Sequence, residues 1–130
     1  MKKIFVGIAL LVSVLMVSCS KKNDAKPQTA ASDVTTINIE YRIQSASGHV
    51  NVDYIAPNSN GELEMTHAEV NRTEETINFT YATGNVFSVS ASNLVPSHSV
   101  VQVQIFVNGI LQVENSTTNP SQSAVAKGNF

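Results

Sequence analysis

From residue 37 onward, apolar residues recur at every second position, and this constrains the fold more than anything else in the chain. Ile37, Ile39, Tyr41 and Ile43 alternate with Asn38, Glu40, Arg42 and Gln44. Val50, Val52 and Tyr54 alternate with Asn51 and Asp53; Ile77, Phe79 and Tyr81 with Asn78 and Thr80; Phe87, Val89 and Ala91 with serines 88, 90 and 92. Val101, Val103, Ile105 and Val107 alternate with Gln102, Gln104 and Phe106, and Leu111 and Val113 flank Gln112. A period of two puts one face of a strand in a core and the other in water, whereas a helix needs 3.6. No helical stripe of useful length occurs. Turn residues fall between the runs: Ser47-Gly48, Pro57 to Gly61, Thr83-Gly84-Asn85, Asn93 to Pro96, Asn108-Gly109 and Asn119-Pro120. Short strands at this spacing predict an all-β fold, an immunoglobulin-like antiparallel β-sandwich of about seven strands over residues 34–130. The stretch 62–76 is the weakest. Leu63, Met65 and Val70 suggest a strand there, but Ala68 interrupts the alternation.

The Asn108-Gly109 pair marks a hairpin. A two-residue loop would pair Val107 with Ile110, Ile105 with Gln112 and Val103 with Glu114, setting core beside polar side chains. A three-residue loop, Val107-Asn108-Gly109, instead pairs Phe106 with Ile110, Ile105 with Leu111 and Val103 with Val113. Polarity therefore predicts a type I turn with Gly109 left-handed and a bulge beside it.

The chain begins differently. Met1-Lys2-Lys3 is a basic head, and Ile4 to Val17 is a fourteen-residue apolar run broken only by Gly7 and Ser13. That is short of the roughly 20 residues a spanning helix needs, and fits a signal-peptide core. Met16-Val17-Ser18-Cys19 resembles a bacterial lipobox: an aliphatic residue, two small residues, then the only cysteine of the chain. The expectation is a signal peptide over 1–18, cleaved between Ser18 and Cys19, with Cys19 lipidated through its thiol. Several acyl chains would hold the product stably on a membrane, where one would not. Residues 19–33 read as the acylated Cys and a flexible tether, polar and without a large apolar side chain. The leader resembles those of Bacteroidota lipoproteins, which implies a cell-envelope address, the outer membrane, with the periplasmic or surface side left open.

Charge narrows the function classes. Residues 34–130 hold Arg42, Arg72 and Lys127 against eight carboxylates, a net charge of −5. Nucleic-acid binders carry a basic excess, so none is expected here. With Cys19 acylated, no disulfide is available and the domain must be held by core burial, which a domain of about 100 residues can supply.

Several segments resemble the MmpS family of small β-sandwich domains on a membrane anchor: Ile39-Glu40-Tyr41-Arg42-Ile43, Val50 to Tyr54, Asn58 to Glu62, Phe87 to Ala91, Val101 to Gly109 and Ser123 to Gly128. The resemblance implies a sandwich that serves as an accessory to an envelope transport complex. The chain departs from the mycobacterial members in two respects: a lipid anchor replaces their transmembrane helix, and their mid-domain Pro-Trp is missing, since the chain has no Trp.

Residue chemistry does not suggest an enzyme. His49, His67 and His98 are the only histidines. His67 and Glu69 would share a strand face, with Glu62 and Glu64 nearby, but a metal site needs three or four convergent ligands. No Gly-x-Ser-x-Gly elbow occurs, and Ser97-His98-Ser99 has no positioned acid. Glu74 and Glu75 are neighbours that a strand would point to opposite faces. Tyr41, Tyr54 and Tyr81 sit at apolar positions, which favours rings in the core over a sugar-binding surface. The expectation is a non-enzymatic, cofactor-free interaction module with an envelope protein partner. The alternative is a lipoprotein binding a small molecule, sugar or metal on the same scaffold.

Overall fold

The computed structural model describes residues 33–130; the lipobox residues Ser18 and Cys19 lie outside the described residues. Eight strands form: β1 (Thr36–Ser45), β2 (Val50–Pro57), β3 (Leu63–Val70), β4 (Glu74–Ala82), β5 (Val86–Asn93), β6 (Val101–Val107), β7 (Ile110–Thr117) and β8 (Ala124–Asn129). They build two four-stranded sheets, ordered β4-β1-β6-β7 and β3-β2-β5-β8, with every pairing antiparallel. The expected all-β sandwich is what forms, with eight strands. β1 and β2 enter opposite sheets, so the chain crosses between layers from the start.

The alternating residues meet between the sheets. Ile37, Ile39, Tyr41 and Ile43 of β1, Val101, Val103 and Ile105 of β6, and Val50, Val52, Phe87, Val89 and Ala91 of β2 and β5 are buried. Ala124 and Ala126 of β8 complete the layer, their small side chains closing the core beside larger ones. Aromatic rings form a chain through it: Tyr41 to Phe79 at 5.4 Å, Phe79 to Phe87 at 5.8 Å and Phe87 to Tyr81 at 6.2 Å between centroids. Tyr54 joins by an edge contact to Tyr41 at 6.1 Å. All three tyrosines thus serve the core, as their positions implied.

Two local expectations are corrected in detail. The strand suggested by Leu63, Met65 and Val70 forms as β3, but its facing differs. The stretch 62–76 contains all of β3 and the start of β4. In β3, Val70 and Ala68 lie opposite the core residues Val50 and Val52, while Met65 belongs to the outward parity and is exposed. Ala68 does not break the pattern: it belongs to the inward row, and pairing with β2 decides the parity.

The hairpin is the second correction. Val107 pairs with Ile110 and Phe106 with Leu111, so the loop has two residues, and both Asn108 (φ 51) and Gly109 (φ 79) are left-handed. Gly109 takes the expected positive φ, but in a type I′ geometry whose twist matches that of the strands. The predicted Phe106–Ile110, Ile105–Leu111 and Val103–Val113 pairs do not form. The register shifts once, at Gln112, and Ile105 then meets Val113, Gln104 meets Glu114 and Val103 meets Asn115. The bulge inside β7, rather than a longer loop, restores apolar pairing at Ile105–Val113, while Val103 still faces Asn115, and Leu111 and Val113 end on different faces.

Candidate interaction surface

The outer face of the first sheet is built from the polar positions of β1, β4, β6 and β7. Register places Asn78, Glu40, Phe106 and Leu111 in one row across it. The next row is Thr76, Arg42, Gln104 and Glu114. Phe106 is the exception in its strand: an aromatic ring at a position where β6 otherwise carries glutamine. The Arg42 guanidinium lies 4.4 Å from the Phe106 ring centroid. Glu40 holds it there, accepting from Arg42 Nη2 at 2.5 Å. On the other side of the ring, Leu111 lies opposite Phe106 and is 44% exposed. The Gln104 amide donates to Glu114 at 2.5 Å and closes the polar margin.

This arrangement is chemically specific. A planar cation stacked on an aromatic ring keeps its in-plane N–H donors free while the ring is shielded on one side. Next to it lies the bare aliphatic side chain of Leu111. Arg and aromatic residues beside apolar ones are what protein interfaces concentrate, with Lys and Asp depleted. The sequence did contain a signal for this surface: Phe106 stands on the polar side of an otherwise strict alternation.

The histidines and carboxylates weighed from the sequence are located as follows. His67 and Glu69 share the outer face of the second sheet, as strand spacing implied. His67 Nδ1 contacts Asp53 Oδ1 directly across β2 and β3. Both side chains are well exposed, so water screens the pair and it contributes about 1 kcal/mol or less. Asp53 lies opposite Ser90 on its other side, which makes the row His67, Asp53, Ser90. With the carboxylate in the middle, the imidazole has no hydroxyl to activate, and this is not a nucleophile–base arrangement. Asn51, Asp53, His67, Glu69 and Ser92 line a shallow depression there. Among the described residues, no group of three or more His, Cys, Asp or Glu converges as a metal site. His49 pairs through Nδ1 with Asn71 Oδ1 at 2.9 Å, and His98 is exposed in the loop after β5. Glu62 is exposed, and Glu64 accepts from the Asn58 amide at 3.2 Å. Glu74 faces out opposite Gln44, and Glu75 faces in opposite Ile43, within 2.9 Å of Arg72 Nε.

No family model matches the chain, and no curated protein matches it.

Proposed function

We propose that the chain is a lipid-anchored cell-envelope lipoprotein of the outer membrane, and that its sandwich is a non-enzymatic accessory module binding an envelope protein. Cys19, the only cysteine, is the acylation site, and residues 19–33 are the tether. The MmpS resemblance adds kinship with accessory domains of envelope transport complexes and makes such a complex the first partner to look for.

The observation that carries the interaction reading is the Arg42–Phe106 stack flanked by exposed Leu111. A face meant only for water has no use for an aromatic ring bracketed by a cation and a bare leucine. The test is site-specific photo-crosslinking in native cells, with the full-length lipoprotein carrying the photoreactive residue at Leu111 or, as control, at Ser90 on the opposite face. One envelope protein captured from Leu111 and not from Ser90 supports the reading. Recovery of the uncrosslinked protein alone from both positions overturns it.

A further inference from the structure

The four sheet edges are not equally protected. β7 carries the bulge at Gln112 and is tied across the layers, the Asn115 amide donating to the Val125 carbonyl at 2.9 Å. β8 is short, and the Phe130 ring occupies the space where a β-carbon on Gly128 would stand. β3 carries Glu64, His67 and Glu69 along its length. β4 has no bulge, cross-layer tie or covering ring, and its charges, Glu74 and Glu75, stand only at its start. It runs nine residues, Glu74–Ala82, without bulge, proline or lysine, and among the described residues no strand pairs with its outer side. Unbulged edges of this kind template further strand addition.

The free groups can be identified. At the two ends of β4, the Ser45 N–H donates to the Thr73 carbonyl and the Thr83 N–H to the Thr35 carbonyl, each at 2.9 Å. The odd-numbered line therefore bonds to β1. Backbone direction alternates along a strand, so Thr76, Asn78 and Thr80 turn their N–H and C=O groups outward. All three residues are exposed.

We propose that β4 is a homodimerisation edge, pairing antiparallel with β4 of a second copy about a two-fold axis at Asn78. The strand is self-complementary in that register. Asn78 meets Asn78, Thr76 meets Thr80, and inward Ile77 meets inward Phe79. Both carboxylates of β4 lie at one end, so antiparallel pairing sets Glu74 against Ala82 and Glu75 against Tyr81, with no like charges opposed. An isologous contact needs this kind of self-match. About six main-chain hydrogen bonds join the copies into one continuous eight-stranded sheet. The inference is independent of the lipid anchor and of the Arg42–Phe106 face, and its test reads neither.

The test uses the detergent-solubilised full-length chain. Asn78→Cys puts two thiols on the axis, where Cα atoms about 5.5 Å apart lie within disulfide range. Mild oxidation is expected to give a dimer whose mass-mapped bridge joins residue 78 to residue 78. Thr76→Cys is expected to give none, because the two copies of residue 76 stand four residues apart along the strands. Native mass spectrometry of the unmodified chain is expected to show the dimer. Thr76→Lys with Thr80→Lys sets lysines opposite one another and raises its dissociation constant about tenfold or more, while the far-ultraviolet circular dichroism stays that of the parent. A monomer at about 100 μM, a dimer indifferent to the two lysines, or equal bridging from positions 76 and 78 overturns the proposal.

Discussion

The Tyr41 hydroxyl donates to the Ile55 carbonyl at 2.6 Å, joining β1 of one sheet to β2 of the other. The contact falls where the β2–β5 ladder stops, since that pairing ends at Tyr54 and Val89. The hydroxyl takes over a backbone acceptor that the ladder leaves open. The ring is wholly buried, and burial pushes its ionisation far above the ordinary value of 10.0, with a backbone hydrogen bond at Ser88 opposing the shift.

Tyr41→Phe removes this donor and leaves the Ile55 carbonyl unpaired. The expected loss is about 1–3 kcal/mol in chemical denaturation, with the fold retained. The pH dependence carries a separate signature. A group whose ionisation is raised on folding contributes its full stability below the unfolded value and loses it above. The parent protein therefore destabilises as pH rises past about 10, and Tyr41→Phe flattens that alkaline limb. Parallel alkaline limbs in parent and variant would refute the assignment.

Asn108 and Asn38 exchange two hydrogen bonds at the hairpin tip: Asn38 N–H donates to Asn108 Oδ1 at 3.0 Å, and Asn108 N–H donates to the Asn38 carbonyl at 2.9 Å. The asparagine side chain stands in for its own carbonyl, which the left-handed backbone turns away. Asn108→Ala is expected to cost about 1–2 kcal/mol, from the lost bond and the strained φ together. Gly109→Ala meets nothing within 4 Å of the added carbon, so its cost of about 1 kcal/mol or more is conformational. Urea titration measures both.

Deleting Gln112 removes the extra residue of the bulge and leaves Phe106–Leu111 and Ile105–Val113 as consecutive pairs. The deletion is expected to fold, with stability within about 1 kcal/mol of the parent, because no side chain changes face. Deleting Gln104 from central β6 inverts the facing of the residues on one side of the gap and is expected to abolish cooperative unfolding. Thermal melts of the two deletions, side by side, decide the point.

Cys19→Ala is expected to move the protein from the membrane to the soluble fraction and to eliminate palmitate labelling in cells. Labelling that persists in the variant would place the acyl chain elsewhere or remove it from the account.

Much of the fold was legible in the residues. The inward rows of β1, β2, β4, β5 and β6 follow from strict alternation, and the turns from Gly, Asn and Pro between them. Where the reading failed, a neighbour had overridden the local pattern. Ala68 carries too little apolar surface to declare its side, and β2 settles it by pairing Val52 opposite. The β7 register was misplaced because polarity matching fixes only which pairs are acceptable. A long loop and an internal bulge both put an apolar residue opposite Ile105. The bridge from Asn108 to Asn38 favours the tight turn, and it spans 70 residues of sequence.

The interaction face was half legible. Phe106 broke the polar row of β6, and Arg42 stood in the polar row of β1, but no spacing rule links positions so far apart.

The sequence by itself determined the strand content, the facing of most side chains and the absence of any disulfide within residues 34–130, because alternation and residue inventory are local properties of a chain. Which strands are neighbours, which edges stay open and which side chains meet across a sheet were decided only by the tertiary structure. Those relationships depend on register between distant segments, where one residue of slip inverts a face and many pairings compete at similar local cost.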